Sequence, residues 1–373
     1  MAENTAAARV RQLIADSGLT QAEFAAKTGL DASKMSKSLS GVRRFTSLDL
    51  ARIADLCGVS VDWILGADPS TPSMAARTSA PATSAERAVR EAERLAQIRA
   101  DLAFLGYRQQ VPTFETTRRS TRCVDQGHDL AVQAAEHASK RGVTLWRTRD
   151  LAEAVEAAFG VDVGICRLPD GFDGLAWADE NSSLIVVGTS EVPARQRFTI
   201  AHELGHLLAG DDQKVCVDVD IHDSDHKRKP SEIRANAFAA ELLLPARMLR
   251  EEAERATWTR EAFAEFACRL WVSPSTLAWR LFNLELIDRS SCDSFRALTA
   301  WDAAGLAGAV EFLGEWIQYT SHPRVPLPLV RTTFQAYAEG KATLRPFANL
   351  IGVDTTVLRQ AISDPREDSP LAS

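Results

Sequence analysis

The six cysteines in these 373 residues, Cys57, Cys123, Cys166, Cys216, Cys268 and Cys292, lie far apart, and no CxxC pair occurs. That argues against a paired-cysteine zinc site and against a disulfide framework. Reduced thiols in a cytoplasmic protein are the expectation. No stretch of about 18 apolar residues occurs, so no membrane helix is expected. The opening MAENTAAARVRQ lacks the apolar region of a signal peptide. A basic surplus is missing as well, since the net charge is −7.

What is present is ordinary for a globular protein, with 45% hydrophobic and 25% charged residues. The length accommodates about two or three domains. Charge is unevenly spread. Residues 1–66 hold eight Lys/Arg against seven Asp/Glu, residues 77–122 nine against five, and residues 123–373 26 against 37. The front third is therefore the face for a polyanion. Its surplus is small, so affinity has to come from placement or from a homodimer.

Residues 5–66 read as five closely spaced helices. VRQLIADSG is an amphipathic run ending at Gly18. Thr20 followed by Glu23 forms a capping box for QAEFAAKTG, which stops at Gly29. Asp31 caps ASKMSKSLSG, Thr46 or Ser47 opens LDLARIADLCG, and VSVDWILG closes the unit. Ala25 is small where helices cross, Gly29 makes the turn, and Leu30 and Met35 face inward. Ser33, Lys34, Ser36 and Lys37 then face outward. In a helix-turn-helix, the second helix of the pair enters the major groove. Thr20 and Gln21 sit at the preceding helix N-terminus, a natural phosphate contact, and Arg43 and Arg44 are placed to clamp the backbone. Over about residues 6–66 the pattern resembles the Xre/Cro family of phage-repressor-like DNA-binding domains. The resemblance implies binding to double-stranded operator DNA.

ADPSTPSMAARTSAPATSA, residues 67–85, has no apolar periodicity and reads as a flexible linker. Residues 86–122 read as a connecting helix, Glu86 to about Tyr107, and a loop. Ala88, Leu95, Ile98, Leu102 and Leu105 line one side of that helix, for packing on the next domain or, more sharply, for a dimer seam. DLAVQAAEHASKRG and LWRTRDLAEAVEAAFG are helical. VDVGICRL and SLIVVG are strands separated by a turn-rich gap. SEIRANAFAAELLLP is a helix stopped by Pro245, and TREAFAEFACRLWVSPSTLAWRLFNLELI is two more. The expected fold is mainly α with a small β-sheet (α+β).

FTIAHELGHLLAG, residues 198–210, carries the chemistry. A helix brings i and i+4 onto one face, so His202 and His206 share a side and can hold one zinc ion with Glu203 beside them as base. A third ligand is wanted. Glu232, 26 residues past His206, stands on the next strong helix, with Asn236 one turn on to hold the outer nitrogen of a ligating histidine. Glu241 competes for the ligand role. The pattern resembles thermolysin-like proteases, with Asn236 where they offer Asp. RFTIAHELGHLLAG followed by EIRANAFAAELLLP resembles more closely the ImmA/IrrE family of metallopeptidases, over about residues 125–290. That resemblance implies a zincin-like fold with one Zn2+ per chain. His202, His206 and Glu232 would be ligands, Glu203 the base, and the substrate a repressor, often one bearing an Xre domain, cut in response to stress or mobile-element induction. It also implies that Leu184 to Gly188 pairs with the extended substrate. The oxyanion-stabilising residue stays open: Tyr107, Tyr319 and Tyr337 are remote, and His222 and His226 of the acidic loop are the nearer candidates.

VSPSTLAWRL resembles half of another helix-turn-helix. TLRPFANLIGVDTTVLRQAIS, 343–363, echoes the first domain more faintly. The expected organisation is thus a DNA-binding domain at 5–66, a linker at 67–85, a connection at 86–122, a metallopeptidase domain at 123–290 and a helical segment at 291–373. The leading expectation is a regulator that binds operator DNA and cleaves a protein. The alternatives are a regulator whose zincin fold only senses or binds partners, and an antitoxin-like repressor with a cognate toxin.

Overall fold

The computed structural model describes residues 5–57, 59, 64–65, 73–78, 82–114, 122–168, 172–211, 229–255 and 257–363. The chain divides into two compact units, Met1–Pro72 and Ser73–Ser373. Among the described residues, no helix is long and apolar enough to cross a membrane.

The first unit holds α1 (Thr5–Asp16), α2 (Gln21–Lys27), α3 (Ala32–Leu39) and α4 (Ser47–Cys57). Its helix ends follow from local hydrogen bonds. Thr20 Oγ1 accepts from the Glu23 N–H at 3.3 Å, and the Glu23 carboxylate accepts from the Thr20 N–H at 2.9 Å. Asp31 Oδ1 accepts from the N–H groups of Ser33 and Lys34 at 2.8 and 3.2 Å. Between these caps, Gly29 takes φ +66°, a conformation that favours glycine. The Leu30 N–H then returns to the Ala25 carbonyl at 2.9 Å, seating Leu30 in a core of Val10, Phe24, Met35 and Ile53. Of the expected fifth helix, only Val59, Ile64 and Leu65 are among the described residues.

In chain order, the second unit runs β1 (Ser73–Thr78), α5 (Ala82–Phe104), α6 (Cys123–Ser139), α7 (Leu151–Phe159), β2 (Asp162–Cys166), β3 (Phe172–Ala178), β4 (Ser183–Gly188), α8 (Pro193–Ala209), α9 (Pro230–Leu243), α10 (Ala246–Ala253), α11 (Arg260–Arg269) and α12 (Pro274–Asn283). Six further helices follow: α13 (Arg289–Arg296), α14 (Ala300–Leu306), α15 (Val310–Thr320), α16 (Leu327–Ala338), α17 (Leu344–Ile351) and α18 (Thr355–Ser363).

Two expectations are corrected here. The linker expected at 67–85 is not wholly a linker: Ser73–Thr78 is a strand and α5 begins at Ala82, while 67–72 and 79–81 lie outside the described residues. The turn-rich gap before SLIVVG holds β3. The helix from Glu86, expected to pack on the next domain or to form a dimer seam, belongs to the same compact unit as 123–290.

The sheet order is β1-β3-β4-β2; β3 is antiparallel to both its neighbours, and β2 runs parallel to β4. β4 is therefore central, and its run Leu184–Val187 is buried on both faces. Ile185 and Val187 meet α8 and α9 through Ile200, Leu204 and Phe238. Leu184 and Val186 meet α5 and α16 through Ala88, Leu95, Leu102 and Leu329. The apolar side of α5 thus packs on the sheet. Two buried ion pairs tie the layers together. Arg99 of α5 makes a two-pronged contact with Asp162 at 2.5 and 2.6 Å. Arg324 grips Glu156 at 2.8 and 2.7 Å and closes the outer edge of β2 by exchanging backbone hydrogen bonds with Ile165.

Both helix-turn-helix echoes repeat the α2–α3 turn. Trp271 (φ +57°) and Gly352 (φ +71°) stand where Gly29 does. Val272 and Val353 return their N–H groups to Ala267 and Ala348, and Ser273 and Asp354 cap the next helix.

Candidate metal centre

α8 begins with Pro193 in its first turn and ends at Gly210 in the left-handed region. It lies against β3 and β4, so its middle is buried: His202, Glu203 and His206 are all 2% exposed or less. α9 crosses α8 at Gly205, where an added Cβ would stand 2.9 Å from the Phe238 ring. That close approach carries Glu232, in the first turn of α9, over both histidines.

His202 Nε2 lies 3.3 Å from one Glu232 oxygen, and His206 Nε2 lies 3.3 Å from the other. The two Nε2 atoms are 3.1 Å apart, and all three ligand atoms fall within 4.8 Å of one another. The outer nitrogens are fixed. His202 Nδ1 meets Asn236 Oδ1 at 3.1 Å, and His206 Nδ1 meets Asp211 Oδ2 at 2.9 Å. Both acceptors call for a proton on Nδ1, which turns both Nε2 lone pairs inward. Two lone pairs and a carboxylate facing one point fit a divalent cation, and imidazole nitrogen with carboxylate oxygen is a donor set zinc accepts.

Charge is strongly coupled here. Burial pushes His206 down, but hydrogen bonds to Asp211 and Glu232 outweigh it and raise it to about 9. Burial pushes Glu232 up, yet the two histidines hold it well below the usual carboxylate range.

Glu203 faces the sheet. Gly174 of β3 has no side chain there, and an added Cβ would lie 3.3 Å from Glu203 Cγ and 2.7 Å from Thr199 Cγ2. Glu241, the competing ligand, is engaged elsewhere, accepting from the Ala246 N–H at 3.0 Å and pairing with Arg280. Tyr107 and Tyr319 are engaged with Glu339 and Asp150. His222 and His226 lie outside the described residues.

Asp211 is the residue that reading the sequence missed. Gly210 at φ +64° turns the chain back, so the Asp211 N–H bonds the His206 carbonyl at 3.1 Å and its carboxylate lies beside the His206 ring. Arg234 of α9 then holds Asp211. An acid directly after the helix-ending glycine was the available signal.

In the first unit, Ser33, Lys34, Ser36 and Lys37 are exposed on α3, as are Thr20, Gln21 and Arg44. Arg43 is different. Its guanidinium donates to Ser38 Oγ at 3.1 Å and pairs with Asp49 at 2.9 Å, so it braces the turn after α3. The Thr20 hydroxyl is taken up by the cap, and Gln21 is exposed at the α2 N-terminus.

The expectation that β4 pairs with an extended substrate is corrected: β3 and β2 occupy both its edges.

An HExxH helix met by a glutamate from a second helix is the arrangement of a metallopeptidase centre, and α2–α3 is a helix-turn-helix. Comparison with known proteins agrees on both. Residues 6–63 match the family described as helix-turn-helix domain, and residues 156–282 match the IrrE N-terminal-like domain. The chain is 35% identical over 146 residues to the radiation response metalloprotease IrrE of Deinococcus radiodurans, covering 36% of this chain and 44% of that one. It is 36% identical over 104 residues to the protein of the same name from Deinococcus deserti, covering 28% and 37%. The chain spans less than half the length of either relative. It combines a helix-turn-helix DNA-binding domain with an IrrE-like domain of a metalloprotease family.

Proposed function

We propose that this chain is a DNA-binding regulator whose second unit is a zinc-dependent endopeptidase acting on a repressor or another regulatory protein. The observation that carries the reading is the convergence of His202, His206 and Glu232 beside the buried Glu203. His202, His206 and Glu232 would hold one zinc ion per chain, three protein donors being the number that leaves a hydrolytic zinc an open position. Zinc, when bound, supplies the Lewis acidity that brings a water pKa near 7 and polarises a peptide carbonyl. Glu203 takes the proton of the attacking water and delivers it to the departing nitrogen. Asn236 and Asp211 keep the imidazoles turned, and the apolar shell of Ile200, Leu204 and Phe238 keeps bulk water away. The relatives are named for radiation response, which makes a stress-linked target part of this proposal.

The test is elemental mass spectrometry on chain purified without chelator. About one zinc per wild-type chain is expected, with clear loss in His202→Ala and Glu232→Ala. Incubating the zinc-loaded chain with a proteome-derived peptide library should generate new N-termini that the ligand variants do not. A wild-type chain without zinc would leave the second unit as a partner-binding platform.

The DNA-binding unit has its own test. Lys34→Ala with Lys37→Ala should weaken binding to genomic duplexes selected by the wild type by at least about tenfold. Zinc content should stay the same. Unchanged binding by gel shift would remove α3 as the reading helix.

A further inference from the structure

An extended peptide is recognised along the exposed edge of a sheet by strand addition. Leaving β1 aside, the sheet β3-β4-β2 has two edges. The outer edge of β2 is closed by Arg324, and β2 is separated from β3 by β4. The other edge is that of β3, the strand whose Gly174 lies against Glu203. That edge is filled by the chain itself. Ser73–Thr78 runs antiparallel along β3 from Ser73 opposite Ala178 to Thr78 opposite Phe172.

We propose that residues 73–78 are the peptidase's first substrate, a strand bound in cis and cut between Arg77 and Thr78. The inference rests on the peptidase reading above. The register supports this bond over its neighbours. Arg77 pairs with Gly174, the residue packed on Glu203, and the ladder is irregular between Arg77 and Thr78, which skips Asp173. The Arg77–Thr78 peptide thus starts opposite the glycine that lies against Glu203 and is the one least tied by regular pairing. Irregularities of this kind gather next to active sites. The paired stretch SMAART has one β-branched residue, Thr78, and no aromatic one, so its strand propensity is low and the pairing is imposed by the open edge.

In the cut, the oxygen of a water adds to the Arg77 carbonyl carbon while Glu203 accepts the water's proton. The C–N bond to Thr78 then breaks and the proton passes to the Thr78 nitrogen. The products are a carboxylate at Arg77 and an amino terminus at Thr78. Because the division between the two compact units falls between Pro72 and Ser73 along the chain, the cut separates the whole helix-turn-helix unit, with residues 73–77 as its tail, from the rest. Once that tail leaves, the β3 edge is open to a protein in trans.

The experiment uses full-length chain loaded with zinc, followed by intact mass and N-terminal sequencing. Fragments 1–77 and 78–373 should accumulate at a first-order rate that is independent of protein concentration, and Glu203→Gln should stay intact. In that intact variant, hydrogen exchange should find the amides of 73–78 protected, and Ala75→Pro with Ala76→Pro should abolish that protection. Successive prolines ensure that one inward-facing N–H is removed whichever way the ladder is phased. Three results overturn the proposal: cuts confined to other bonds, a rate that rises with concentration, or free exchange at 73–78. Cleavage of the peptide library with an intact chain also overturns it while sparing the peptidase reading. Inertness toward library and chain alike, with zinc bound, defeats both.

Discussion

Glu203→Gln is expected to lower peptide cleavage by about 10²–10⁴-fold while the zinc count stays at the wild-type value. The reasoning is one of isolation. Glu203 is not among the three ligand side chains, so replacing it leaves the donor set complete. Glutamine has nearly the same shape, so the packing of residue 203 against Gly174 persists. What disappears is a group that accepts a proton, and general-base catalysis contributes on that order. Parallel measurement of zinc by mass spectrometry and of new N-termini in the peptide library separates the two quantities. Cleavage within a few-fold of wild type would assign the base elsewhere. Loss of zinc would mean that residue 203 takes part in holding the metal.

The second large effect concerns stability. Arg99→Leu is expected to destabilise the second unit by about 3–5 kcal/mol, because it strands a fully buried carboxylate. Burial already pushes Asp162 upward, with Arg99 opposing, and Gln109 at 3.4 Å is a weak substitute. Arg99→Leu combined with Asp162→Leu should recover most of the loss, since a buried ion pair is often replaceable by apolar groups of similar volume. Urea unfolding followed by tryptophan fluorescence reads this, all tryptophans except Trp63 lying in residues 73–373. A single variant that unfolds at the wild-type midpoint would show that Asp162 finds water or another partner.

The two motif sets were legible because each is written locally. The 202–206 spacing is dictated by helix geometry, and Thr20/Glu23 and Asp31 cap within three residues of themselves. Glu232 and Asn236 were legible too, because a single helical turn separates them. What escaped notice depends on chain folding back. Asp211 reaches His206 only through the left-handed Gly210. β1 carries no period of its own, and its strand conformation comes from β3, about 100 residues later. The run Leu184–Val187 announces a strand covered on both faces, but face burial does not say which edges are paired: β2 is equally buried and stands at the end of the sheet.

The Glu156–Arg324 pair has a consequence in time. The partners are 168 residues apart in the chain. At about 5–20 residues per second of synthesis, roughly ten to thirty seconds pass between them. Throughout that interval the outer edge of β2 has no cover, and an uncovered edge is a template for association with other nascent chains. The first unit, complete in its opening residues, is under no such delay. Newly made chains therefore pass through a state in which the helix-turn-helix unit is finished and the unit that carries His202, His206 and Glu232 still waits for its last clasp.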